Sequence, residues 1–454
     1  MATSIPDTIQ TILNHARIAQ VAFERFNQTQ VDAIVKAIAK TVYDHAESLA
    51  RLAIEETGMG VYEDKVLKNR VKSQLIWQSL RAKRSVGIIE RNAQTGIISI
   101  AKPMGVVGSV TPVTNPTATP MCNAMFALKG RNAIVVAPHP RAKRTSTTTV
   151  ELINESIRAL GAPEHLIQII AEPSTQLTNA LMQAVDVVVA TGGKGMVKSA
   201  YSSGKPTYGV GPGNVQVILD RGIDFTEAAK KIVTGRKFDN GIICSAEQAV
   251  IFHESDRDQV IGALTKNGAF CIASPADANA LRAILFKDGA MNKAVVGQSV
   301  AKIADMAGIS IPADTKVIFI LSEGAPEDGL RYEKMCPVLA GFTYRTLDEA
   351  IAIAKNNLML EGQGHSCAVH SNDQKTIETV ALAINTSRVV VNQPSALSAG
   401  GSYYNGFAPT STLGCGSWGN NSISENLDYT HLINIQRIGI PIENTPPSYE
   451  EMWS

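Results

Sequence analysis

Two kinds of residue in this sequence are placed where they could do covalent or phosphate chemistry: solitary cysteines and one glycine-rich turn. Six cysteines stand at 122, 244, 271, 336, 367 and 415, and none forms a C-x-x-C pair. This spacing does not support a zinc knuckle, a thioredoxin motif or a secreted disulfide framework, and no metal is expected. Cys244 follows Phe238-Asp239-Asn240-Gly241-Ile242-Ile243, in which Asp-Asn-Gly is a strong turn signal. Residues 248–252 beyond it read as a strand. A cysteine between a turn and a strand can project into a cleft, where its thiolate could attack a carbonyl carbon. Spacing alone favours the plainer reading, a small buried hydrophobe, and it does not separate Cys244 from its rival Cys415. The turn Thr191-Gly192-Gly193-Lys194-Gly195 opens a helix, where glycines let backbone N–H groups approach a phosphate. Neither the full G-x-G-x-x-G fingerprint nor a P-loop is present, since Val197 stands where the second P-loop glycine is required.

The elements that must carry these residues are legible as periodicities. Ile9, Ile12, Leu13, Ala16, Ala19, Phe23 and Phe26 are expected to share one helical face, and Val31, Ile34, Val35, Ile38 and Val42 another, with Thr29 as the expected cap. From residue 97 the pattern changes. Apolar runs at 106–110, 133–137, 166–170 and 185–190 alternate with helical segments at 147–160 and 177–184. Buried strands separated by helices predict a parallel sheet with crossover helices. Such sheets bind ligands beyond the carboxyl ends of their strands, so the loops after Val110, Ala137 and Ala190 matter most. A second strand–helix series runs from about 220 to 413, and residues 441–454 read as a surface extension.

Composition limits the partners. The chain has 454 residues with 42 Lys plus Arg against 41 Asp plus Glu, a net charge of +1. That balance leaves no field to hold a phosphate polymer or an acidic bilayer, so neither nucleic acid nor membrane is an expected partner. Charged residues make up only 18%, against about 25% in an average soluble chain, which points to a large core and to subunit interfaces. No secretory signal or membrane span is legible, and a cytoplasmic location with free thiols is expected.

Six ordered motifs make the chain recognisable as a whole. They are Val113-Thr114-Asn115-Pro116-Thr117, Pro138-His139-Pro140-Arg141-Ala142-Lys143, the segment ending in Cys244, Glu333-Lys334-Met335-Cys336-Pro337-Val338, Gly364-His365-Ser366, and Leu413-Gly414-Cys415-Gly416-Ser417-Trp418-Gly419. With these the chain resembles the CoA-acylating (acetylating) aldehyde dehydrogenases, and especially the aldehyde dehydrogenase half of bifunctional aldehyde-alcohol dehydrogenases, over nearly its full length. The resemblance implies an α/β aldehyde-dehydrogenase fold. It has a Rossmann-like cofactor domain (1–219, with an oligomerisation strand near 95–101), a catalytic domain (220–413) and a return segment (414–454). A homodimer or homotetramer is implied as well.

The resemblance makes Cys244 the nucleophile and moves Cys415 to a structural or pocket-lining role. It places Asn115 beside Cys244, where the amide and the Cys244 backbone N–H would form an oxyanion hole. It brings His365 near the cysteine, to orient the thiohemiacetal or help deprotonate CoA. Glu333 matches the position that bonds the nicotinamide ribose. Pro138, His139, Thr191, Gly192, Gly193 and Gly211 fall where NAD or NADP would lie. Arg141, Lys143 and Arg144 could meet a 2′-phosphate or the CoA phosphates, or simply be solvated.

Hydrolytic relatives keep a glutamate as general base for water, and here Gly209 stands in its place. A residue without a side chain takes no proton from water, so release by the thiol of coenzyme A is expected. The substrate region 395–406, with Arg388 upstream, allows either an acetaldehyde-sized substrate, placed first, or a small anionic aldehyde such as sulfoacetaldehyde or succinate semialdehyde. A hydrolytic aldehyde dehydrogenase and a cysteine acyltransferase without redox role are the alternatives.

Overall fold

Apolar runs with no polar face can be satisfied only inside a sheet covered on both sides. The computed structural model describes residues 5–287 and 289–454 and places those runs accordingly. Val106–Val110 and Ala133–Ala137 are buried at every position, and Val187–Thr191 at all but its last. They form the middle of a five-stranded parallel sheet ordered Ile167–Ile169, Ala133–Ala137, Val106–Val110, Val187–Thr191, Thr207–Val210. The chain winds outward from Val106–Val110 in one direction and then returns to wind in the other. The crevice at this reversal lies beyond Val110 and Thr191, where a parallel sheet takes its ligand.

A second, seven-stranded parallel sheet runs Ala269–Cys271, Val317–Leu321, Val338–Tyr344, Glu247–His253, Val215–Leu219, Gly364–His370, Thr386–Val391. Val215–Leu219 pairs with Glu247–His253 and Gly364–His370 in this sheet. The chain therefore changes sheets at residues 211–214, ahead of the boundary expected after 219. A third sheet is antiparallel, with Ile97–Pro103 between Gly87–Asn92 and the edge strand Ile433–Gly439.

The N-terminal helices pack Ile9, Leu13, Phe23, Ile34 and Ile38 against the first sheet's core, as their spacing predicts. The expected cap differs. Asn27, not Thr29, starts the second helix, because its side chain accepts from Gln30 N while the Gln30 side chain accepts from Asn27 N. No helix among the described residues is long and apolar enough to cross a membrane.

Candidate active site

Cys244 is delivered by a turn that ordinary side chains avoid. Asp239 (φ 50°), Asn240 (φ 52°) and Gly241 (φ 70°) are left-handed in succession. Each non-glycine residue so held costs on the order of 1 kcal/mol. The surroundings supply the restraint. Asp239 N donates to Asp64 at 2.8 Å, and the Asp239 carboxylate accepts from Val61 N at 2.9 Å, Lys68 Nζ at 2.7 Å and Lys65 Nζ at 3.1 Å. Asn240 Nδ2 donates to the Gly60 and Gly297 carbonyls. Burial pushes the Asp239 carboxyl up, but Lys68 and Lys65 outweigh it, and the carboxyl titrates below its ordinary range. Lys68 Nζ also lies 3.5 Å from the carbonyl of Thr114, so one ammonium ties the cysteine turn to the segment carrying Asn115.

Cys244 and Asn115 line one cavity of about 500 Å³. The Asn115 side-chain oxygen is buried there without a hydrogen-bond partner among the described residues. Burial, then Glu333 and Cys415, push the Cys244 thiol up to about 12, against the pull of Arg388. At neutral pH the residue is therefore a neutral thiol.

Behind Cys244 the backbone of Gly213 lies so close that a Cβ there would fall 1.8 Å from the Cys244 carbonyl oxygen and 3.5 Å from His365 Cε1. Gly213 N donates to Glu333 Oε1 at 3.3 Å. Cys244, His365 and Glu333 thus converge on one glycine. His365 is fully buried, its Nδ1 3.0 Å from Ser366 Oγ and its Nε2 without a partner among the described residues. Burial, then Arg388, lower its pKa to about 3, so the imidazole is neutral. Burial and the neighbouring Glu361 raise Glu333 to about 8. Glu361 accepts from Glu333 N at 3.1 Å and pairs with Lys194 at 3.2 Å.

The remaining expected positions lie at strand ends. Pro138 and His139 follow Ala133–Ala137, and His139 accepts from Arg141 N. Thr191 ends its strand, and Gly193 caps the helix Lys194–Tyr201. Gly211 lines a second cavity, of about 540 Å³, with Lys194, Lys198, Glu361 and Cys415. Pro138, His139, Thr191, Gly192 and Gly193 line neither cavity. Nothing stands within 4 Å of where a side chain would be at Gly193 or Gly211, so a diphosphate could lie against their backbone. Of the basic cluster, Lys143 pairs with Glu172 and Arg144 with Glu55, which leaves Arg141 as its one member without a salt bridge among the described residues.

Two sequence expectations need revision or gain a cause. Arg388 is no pocket cation: its guanidinium is buried and donates to Ser366 Oγ, Asn426 Oδ1 and the carbonyls of His365 and Gly414. Strand Thr386–Val391 points it into the protein, and no periodicity distinguishes an inward arginine from an outward one. At Gly209 the vacancy is filled, since a Cβ would fall 2.9 Å from the Tyr201 ring, whose hydroxyl donates to Gly209 O and accepts from Gly209 N. Sequence reading missed Gly213, Tyr201, Lys68 and Lys72. A lysine on the apolar side of the helix Tyr62–Leu80 was the available signal for the last two.

Comparison with known proteins agrees with this arrangement. A family model described as "Aldehyde dehydrogenase family" matches residues 1–279. A succinate-semialdehyde dehydrogenase (acetylating) of Clostridium kluyveri is 54% identical over 448 residues, 98% of this chain and 99% of that protein. A sulfoacetaldehyde dehydrogenase of an Acholeplasma species is 42% identical over 97% of this chain and 93% of its own length. The crystal structure of an acetylating aldehyde dehydrogenase from Geobacillus thermoglucosidasius superposes with a TM-score of 0.94 at 37% identity, covering 97% of this chain and 98% of that one. The sheet order, the cysteine turn and these full-length matches together make the chain a member of the aldehyde dehydrogenase family, in its CoA-acylating branch.

Proposed function

We propose that the protein oxidises a short-chain aldehyde with coenzyme A and NAD(P)+ to the acyl-CoA, reversibly, with Cys244 as nucleophile. The Cys244 sulfur, once ionised, bonds the aldehyde carbon and places negative charge on the oxygen. The Asn115 amide and the Cys244 backbone N–H are assigned as the donors for that oxyanion. Bound nicotinamide supplies the hydride acceptor, and the acyl group is left on Cys244 as a thioester. The CoA sulfur then bonds the acyl carbon while the Cys244 sulfur leaves, so one thioester replaces another and its energy is conserved. His365, neutral and with its Nε2 unpartnered among the described residues, is assigned to hydrogen-bond the reacting groups rather than to store a proton. Glu333, with Gly193 and Gly211 at the strand ends, is assigned to the dinucleotide, and Thr191, Gly192, Pro138 and His139 to its more distant parts.

The observation that carries the acylating reading is Tyr201 packed on Gly209. A glutamate base for water has neither side chain nor space at that position. The substrate named for the Clostridium kluyveri relative favours succinate semialdehyde, the anionic alternative, over a bare acetaldehyde. Residues 1–210 and 215–413 are assigned to cofactor binding and catalysis respectively. Self-association through the antiparallel sheet is part of the same proposal.

NAD(P)H absorbance with each aldehyde, with and without CoA, tests the reading. Turnover should require CoA and vanish in Cys244→Ala. Sustained turnover without CoA would overturn it in favour of hydrolysis. Thioester exchange that needs no nicotinamide would favour an acyltransferase.

A further inference from the structure

Among the described residues, the cavity shared by Cys244 and Asn115 is faced by three lysines, Lys68, Lys72 and Lys231, and by no aspartate or glutamate. The lysines are not equivalent. Lys68 already has its counter-ion, 2.7 Å away in Asp239. Lys72 has none. From the helix Tyr62–Leu80 its ammonium donates to two neutral acceptors, the Gly400 carbonyl at 2.7 Å and the Thr410 carbonyl at 3.1 Å. An ammonium carries three donors, so one N–H is left over. The titratable groups that face it are Cys122, Cys244 and Lys68, with no carboxylate among them. Burial pulls its pKa down to about 8, which leaves it mostly protonated at neutral pH. Next to Thr410, the Ser411 hydroxyl lines the same cavity, buried beside the Cys122 thiol and without a nitrogen or oxygen partner among the described residues.

A cation kept in an apolar cavity without a counter-ion is costly, and an anionic ligand removes that cost. The geometry points to Lys72 as the residue that binds the carboxylate end of the substrate, with Ser411 as a second donor, so that the enzyme selects short aldehyde acids over neutral aldehydes. A substrate whose carboxylate sits on the Lys72 ammonium would place its other end within the cavity that Cys244 lines. The inference rests on the acylating reading above for its reaction but not for its binding step.

The test compares wild type, Lys72→Met, Lys72→Arg and Lys231→Met on succinate semialdehyde and on butyraldehyde, which has the same carbon count and no charge. One charge-assisted contact should make the ratio of the two kcat/KM values fall about 10- to 100-fold in Lys72→Met. Lys72→Arg should recover part of it, and Lys231→Met should change it little. A second readout needs no turnover. The unreactive analogue 4-hydroxybutyrate should protect Cys244 from iodoacetamide in wild type and fail to do so in Lys72→Met, with circular dichroism confirming the fold. Equal losses on both aldehydes, an unchanged ratio, or a selective loss in Lys231→Met instead would overturn the assignment. If wild type protects normally yet turns over neither aldehyde with CoA, the reaction is wrong and the anion site stands.

Discussion

Cys244 is held as a thiol by burial and by the carboxyl of Glu333, with Arg388 too committed to its own carbonyls to reverse this. The thiolate is the reacting form, so alkylation of the free enzyme should be slow at neutral pH. Its rate should rise about tenfold per pH unit without levelling through about pH 9. Stopped alkylation followed by mass spectrometry of the Cys244 peptide measures this. A plateau near pH 7 would mean that the thiol is activated before any ligand arrives. The same residues show how far side-chain identity reaches. Cys244, Asn115, His365 and Glu333 are legible from motifs, because the chemistry proposed for them requires those residue types in that order. Arg388 and Lys72 are not, because a cation's meaning depends on which atoms surround it. Four buried acceptors make the arginine structural. The lack of any facing carboxylate makes the lysine available.

At the scale of the element, the left-handed turn at 239–241 is paid for by the helix Tyr62–Leu80. Asp239 is fully buried between Lys65 and Lys68. Asp239→Asn removes the charge and leaves two buried ammonium groups unpaired. It should cost about 3–5 kcal/mol, as breaking a buried ion pair does. It should also lower kcat, since Lys68 no longer ties the Cys244 turn to Thr114. The sign of its pH dependence follows from the depressed carboxyl. The folded state binds that proton less readily than the unfolded chain does. The stabilisation is therefore complete at neutral pH, above the usual aspartate value of about 4, and is lost as pH falls through the folded value. Urea unfolding of both proteins at pH 7 and at about pH 3, below the unfolded aspartate value, checks this. The gap should narrow on acidification, and a constant gap would remove the charge from the explanation. The cysteine turn itself was readable as Asp-Asn-Gly, whereas its clamp was not, because Lys65 and Lys68 lie more than 170 residues away in the chain.

For the whole molecule, two parallel sheets meet at residues 211–214, and the second cavity opens there beside Gly211. Beyond them the antiparallel sheet leaves Ile433–Gly439 as an edge strand, followed by a tail that exposes Ile440, Ile442 and Trp453, with Ile438 43% exposed on the strand itself. Unpaired edges and exposed branched residues are surfaces that a second copy would cover. If the proposed self-association uses this edge, Ile438→Asp should lower the sedimenting mass at micromolar concentration, and an unchanged mass would overturn the assignment of this strand.

Sequence alone determined the parallel strands and the order of the motif residues. Periodicity and turn chemistry are local, and each is decided within a few residues. It also determined that no base for water stands at position 209. Only the tertiary structure decided which groups meet. Tyr201 fills the space at Gly209 by folding back across a strand, and Gly213 brings His365 and Glu333 to Cys244 through backbone contact too close for any Cβ. Lys72 faces the Cys244 cavity because segments 62–80 and 400–410 pack together from opposite ends of the chain. Charge compensation, burial and pKa depend on neighbours distant in sequence, and those neighbours exist only once the chain has folded.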